Sequence, residues 1–146
     1  MVCSKVMGKL VYSNKQLDFI ELEWFERNAP HLTKNTVGGK EVTLEYDIVL
    51  GDRDIIFEDE KDLIAVKLLP CRILSARVNS ITEAGRACYV MGLAGLPVSI
   101  DAEWIKAPYD ERAAKLLKEN EIFFQVTEEI FEATDLPTPE YSDIAR

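Results

Sequence analysis

From Ser4 to Leu69 apolar and polar residues tend to alternate, most clearly in Glu41-Val42-Thr43-Leu44-Glu45-Tyr46 and Ile20-Glu21-Leu22-Glu23-Trp24. Successive side chains of a strand point to opposite faces, so each run predicts a half-buried strand. Turn residues separate the runs at Ser13-Asn14, Asn28 to Pro30, Gly38-Gly39 and Gly51-Asp52, and Gly38-Gly39 suits a hairpin turn that needs positive φ. Five or six short strands in about seventy residues predict a small antiparallel barrel or sandwich. Acidic Glu58-Asp59-Glu60 reads as a solvated turn before a strand at Asp62 to Leu69, with a metal-binding carboxylate cluster as the alternative.

At Leu69-Pro70-Cys71 the pattern changes, and proline interrupts a strand ladder, so a domain boundary is expected there. A strand follows at Arg72 to Val78. Ser80-Ile81-Thr82-Glu83 then has the spacing of a capping box, in which serine and glutamate satisfy each other's backbone amides at a helix start. Ala84, Ala87, Cys88 and Met91 fall at i, i+3, i+4 and i+7, one apolar stripe, and Tyr89 and Val90 add apolar surface outside it. Strands at Val98 to Ile100 and Glu103 to Lys106 come next. Asp110 can cap a second helix that turns Ala113, Leu116 and Leu117 inward, pairs Glu111 with Lys115 and ends at Asn120 in the left-handed region. With a last strand at Ile122 to Val126 the order is β-α-β-β-α-β, a ferredoxin-like arrangement. The expected fold class is therefore α+β: an all-β domain over 1–70, a ferredoxin-like domain over 71–134, and an extended tail over 135–146.

Composition narrows the chemistry. Twenty-six acidic residues against 17 basic ones give a net charge of -9 in 146 residues, which disfavours nucleic acid and anionic membranes as partners where no basic patch overrides it. Cys3, Cys71 and Cys88 are widely spaced, a pattern of reduced cytoplasmic thiols rather than a disulfide or zinc framework. The richest apolar run, Leu63 to Leu69, contains Lys67 and is too short to span a bilayer. A single histidine, His31, and no cofactor fingerprint argue against an enzyme. His31 reads as a surface or hydrogen-bonded residue and Cys88 as part of the packed stripe. Trp24, Phe25 and Trp104 read as core or interface anchors rather than a ligand site.

The stretch VMGLAGLPV, Val90 to Val98, has no side chain able to hold a proton or a charge. Its glycines follow a helix and face the carbonyl end, whereas phosphate-binding glycine loops precede one. Gly92 is the expected left-handed helix stop, with Pro97 preventing continuation.

Taken in order and spacing, FIELEWFERNAPHLTKN, GDRDIIFEDEKDLIAV and ACYVMGLAGLPVSIDAEWIKAPYDERAAKLLKE resemble the UreE-type urease accessory proteins, which are dimeric nickel metallochaperones. The resemblance implies an N-terminal domain of peptide-binding type and a C-terminal domain that dimerises and binds metal, with Tyr89, Val90, Gly92 and Gly95 as candidates for the dimer interface. It also implies nickel as cargo and urease apoprotein or other urease accessory proteins as partners. Members of that family usually carry Gly-Asn-x-His where this chain has Gly92-Leu93-Ala94-Gly95, so Gly95 stands at the position of the central nickel ligand. The expected function is nickel delivery for metallocentre assembly with atypical or weakened metal binding, and no metal ligand is named. The alternative is a protein-interaction or scaffold module of the same fold that has lost metal binding.

Overall fold

The computed structural model describes residues 1–133; the expected tail from Asp135 lies outside them. The chain divides into two compact units, Met1–Leu69 and a second that begins at Pro70. Both described α-helices belong to the second unit, and the class is α+β.

The first unit contains β1 (Val2–Cys3), β2 (Gln16–Leu22), β3 (Leu32–Asn35), β4 (Glu41–Leu44), β5 (Ile55–Glu58) and β6 (Asp62–Leu68). They form two three-stranded sheets, ordered β1-β4-β3 and β2-β6-β5. Alternation decides which side chains go inward: Val42 and Leu44 from one sheet join Ile20, Leu22, Ile64, Val66 and Leu68 from the other in a single core. It does not decide strand direction. The expected all-antiparallel arrangement is corrected here, since β1 pairs with β4 and β2 with β6 in parallel. The β2–β6 pair needs a long crossover, and the intervening chain that holds β3, β4 and β5 supplies it.

Trp24 leaves the expected strand for a single 3-10 turn, Trp24–Glu26. That turn is fixed when the Glu26 carboxylate accepts the Glu23 amide and the Lys34 ammonium, both at 2.9 Å. The Gly38-Gly39 hairpin joins β3 to β4, with Gly39 at φ +91°. Asp18 secures it from β2: its carboxylate accepts from the Thr36 hydroxyl at 2.6 Å and the Gly38 amide at 2.9 Å.

The second unit runs β7 (Cys71–Arg77), α1 (Ile81–Leu93), β8 (Ser99–Ile100), β9 (Trp104–Pro108), α2 (Glu111–Glu119) and β10 (Phe124–Glu129). Its sheet has the order β10-β7-β9-β8 with every neighbouring pair antiparallel. Leu74, Ala76, Ile105 and Ala107 on one sheet face pack with Ala87, Val90 and Met91 of α1 and Ala113 and Leu117 of α2. Asp110 caps α2 by accepting the Ala113 amide at 2.9 Å. Two expectations for α2 are corrected. Lys115 pairs with Glu119, at 3.9 Å, and Asn120 keeps a negative φ while Glu121 takes the left-handed one, +57°. Among the described residues no helix is long and apolar enough to cross a membrane.

Candidate functional site

The sequence directs attention to the C-terminal end of α1. The helix starts where the Ser80 hydroxyl accepts the Glu83 amide at 3.1 Å. The Glu83 carboxylate reaches back one residue further than a capping box would have it, to the Asn79 amide at 2.6 Å. Ala87, Val90 and Met91 are buried along the helix. Val90, 3 % exposed, is thus a core residue and is corrected as a candidate for an exposed contact face. Tyr89 is 69 % exposed. It lies on one helix face with Ile81, Gly85 and Gly92, and a side-chain carbon added at either glycine would meet nothing within 4 Å. An open, flat strip therefore surrounds the tyrosine.

The helix ends later than the sequence suggests. Gly92 lies inside it, Ala94 is the C-cap with helical angles, and Gly95 takes φ +76°. The Gly95 amide donates to the Gly92 carbonyl at 2.9 Å and the Leu96 amide to the Met91 carbonyl at 3.2 Å. These two bonds define a Schellman motif with Gly95 as the left-handed residue, so Gly95 and not Gly92 is the helix stop. The motif also brings Leu96 back onto the core that contains Met91. The signal in the sequence was the order Gly95-Leu96-Pro97: a glycine, an apolar residue that can fold back, and a proline.

Gly95 is exposed and brings only backbone atoms to this end of the helix. Cys88 packs partly buried against the same core, and burial pushes its thiol pKa up, away from the thiolate that binds metals. Cys3 is buried in the first unit, where desolvation likewise raises its pKa against the smaller opposing pull of the N-terminal ammonium. His31 is an exposed surface residue with Nδ1 3.4 Å from a Glu45 carboxylate oxygen. The acidic turn is organised by Asp59, whose carboxylate accepts the Lys61 and Asp62 amides at 2.8 and 2.6 Å, and Glu58 pairs with Lys15 at 2.6 Å. Among the described residues no group of three or more His, Cys, Asp or Glu side chains is placed to hold a metal ion.

The aromatic candidates are dispersed. Trp24 and Phe25 meet edge to face, centroids 5.7 Å apart. Trp104 lies on the sheet face of the second unit away from the helices, with Arg77 and Lys106 each 5.9 Å from its ring.

Comparison with known proteins points one way. The chain is 29% identical over 124 residues to the urease accessory protein UreE of Flavobacterium johnsoniae, covering 80% of this chain and 74% of that one. It is 32% identical over 110 residues to UreE of Actinobacillus pleuropneumoniae, covering 73% and 58%. To UreE of Helicobacter bizzozeronii it is 35% identical over 98 residues, covering 63% and 56%. The chain thus spans little more than half the length of the last two relatives. No family model matches it. These similarities, spread over most of the chain, establish that it belongs to the UreE-type urease accessory protein family.

Proposed function

We propose that the chain is a non-enzymatic urease accessory protein that acts as a cytoplasmic homodimer, delivering nickel during metallocentre assembly and working with urease apoprotein or another accessory protein. The observation that carries this reading is the similarity to UreE proteins over 98 to 124 residues. The strand order β10-β7-β9-β8 in the second unit supports assigning it the ferredoxin-like arrangement and the dimerising role. The open strip of α1 around Tyr89, Gly85 and Gly92 supports placing the two-fold contact there.

Nickel delivery in this chain is of a weakened kind. A donor beside a two-fold axis is doubled by symmetry, so one side chain from each copy gives two ligands to a shared metal. Gly95 offers no side-chain donor, and its left-handed φ is one that histidine enters more readily than most side chains. The same observation favours the second reading, an interaction module of this fold that no longer binds nickel.

Calorimetric titration with nickel at matched pH distinguishes them. The native protein is expected to bind at least tenfold more weakly than Gly95→His, a difference of about 1.4 kcal/mol. Cys88→Ala run alongside detects thiolate ligation. Tight native binding that survives loss of Cys88 would restore full nickel delivery through ligands elsewhere; no gain on Gly95→His would favour the interaction module.

A further inference from the structure

Each helix of the second unit ends against an arginine supplied by the other. Arg86 of α1 donates to the Asn120 carbonyl at 2.6 Å, at the C-cap of α2. Arg112 of α2 donates through Nη2 to the carbonyl of Leu93, the last residue of α1, at 3.0 Å. The last four carbonyls of a helix lack partners within it and carry its partial negative charge, so a cation is favoured there. At α1 all four have a donor. The Ala94 amide is shared between the Val90 and Met91 carbonyls at 3.4 and 3.2 Å, the Leu96 amide also reaches Met91, the Gly95 amide reaches Gly92, and Arg112 takes Leu93. The cation favoured at this end of the helix is already in place.

Its charge stands uncompensated. Arg112 is exposed, and among the described residues its guanidinium has no carboxylate partner. The Asp110 carboxylate accepts the Ala113 amide at 2.9 Å, and adjacent helix positions such as Glu111 and Arg112 do not face each other. Leu93 is two residues before Gly95. With consecutive Cα atoms about 3.8 Å apart, the guanidinium lies within about 10 Å of a side chain placed at Gly95, about one Debye length in 0.1 M salt.

We infer that Arg112 makes the C-terminal end of α1 repel divalent cations, at the very position where UreE-type proteins usually carry a histidine. Two features of this chain then oppose nickel there: Gly95 supplies no imidazole, and Arg112 supplies a positive charge that a two-fold axis would double. Arg112 acts through the field at this position and not by touching the metal. The inference deepens the weakened nickel delivery proposed above and rests on that reading for the metal; the charge itself rests on the bond to Leu93.

The test uses an introduced imidazole to read the field. Gly95→His is titrated by NMR in the full chain with Arg112 intact, with Arg112→Gln and with Arg112→Lys. Glutamine keeps an N–H for the Leu93 carbonyl and removes the charge, whereas lysine keeps the charge. A nearby cation disfavours protonated imidazole. The pKa of the introduced imidazole is therefore expected to be about 0.3 pH units higher with Arg112→Gln than in the other two proteins in about 10 mM salt, and equal in all three in about 1 M. The native His31 is the internal reference and is expected not to move. Nickel affinity by calorimetry is expected to rise about fourfold on Arg112→Gln, since a divalent ion doubles the effect on the logarithm. Leu93→His, on an exposed residue with helical backbone, replaces the probe if Gly95→His does not fold. Equal pKa values in the charged and neutral backgrounds overturn the inference, as does a rise that Arg112→Lys shares, which leaves Arg112 a purely structural cap. Because the imidazole reports in monomer and dimer alike, a pKa difference with no nickel binding by any variant upholds the repulsion and overturns nickel delivery.

Discussion

The Leu96 amide donates to the carbonyl of Met91 at 3.2 Å, across a turn that only the left-handed conformation of Gly95 allows. This bond fixes where α1 stops and how the chain re-enters the core. An L side chain at that φ costs about 1 kcal/mol, so Gly95→Ala is expected to lower stability by about that amount in urea unfolding. Glu121 occupies the equivalent place after α2, with φ +57° and the Ile122 amide bonded to the Leu117 carbonyl at 2.9 Å. There the substitution runs the other way. Glu121→Gly is expected to raise stability by about 0.5–1 kcal/mol, and a loss would show that the Glu121 side chain contributes more than the relieved strain.

Tyr89 and Val90 are neighbours with opposite exposures, 69 % and 3 %, and they separate association from folding. Tyr89→Glu places a charge on the proposed two-fold contact and is expected to weaken the dimer at least tenfold in sedimentation velocity, about 1.4 kcal/mol, with unchanged circular dichroism. Val90→Glu puts the charge in the core and is expected to unfold the second unit, at a cost of several kcal/mol. Native protein that is monomeric at high micromolar concentration would remove the dimer from the proposed function.

Asp18 links acid stability to the β3–β4 hairpin. Partial burial raises its pKa, but hydrogen bonds from the Thr36 hydroxyl and the Gly38 and Phe19 amides, with the charge of Lys40, outweigh it and hold the carboxyl below its usual 3.8. A lowered folded pKa gives stability that is present above the unfolded value and is lost as pH falls through the folded one. The first unit should therefore weaken below about pH 4, and Asp18→Asn should flatten that limb of the stability curve. Gly38→Ala tests the same contact sterically, because the added carbon would lie 2.7 Å from Asp18 Oδ2. A cost of about 1–2 kcal/mol is expected as the carboxylate is displaced from its donors.

Tyr46 is a core phenol whose hydroxyl donates to the Lys5 carbonyl at 2.8 Å. Desolvation, with negative charge at Cys3 and Asp54, pushes its pKa from 10.0 up to about 12. The raised value means that stability is intact below pH 10 and declines as the pH rises toward 12. Ultraviolet titration should find one tyrosine that ionises only as the protein unfolds, and Tyr46→Phe should abolish it. Ionisation of all five tyrosines near pH 10 would contradict the buried hydrogen bond.

Local chemistry made much of this legible in the sequence. Ser80 and Asp110 marked helix starts because their side chains satisfy amides only three residues away. Alternation at Glu41–Leu44 and the stripe Ala87-Met91 named core residues because the period of a strand or helix sets which side chains share a face. The resemblance of three segments named the family that the comparisons then established.

Only the tertiary structure decided the rest. Parallel pairing of β2 with β6 joins residues more than forty apart, and alternation carries no direction. Val90 is buried although it lies outside the i, i+3, i+4, i+7 stripe, because the face that α1 turns to the core is wider than that seam. Gly92 and Gly95 are equally permissive as residues, and the choice between them depended on Leu96 reaching the core beside Met91. A groove beside β10 combines Arg72 of β7, Lys118 of α2 and Tyr109 of the loop between β9 and α2, and no local pattern marks it. Contacts within a few residues are written in local spacing; those that close a sheet edge, a helix end or a groove depend on what the rest of the chain brings alongside.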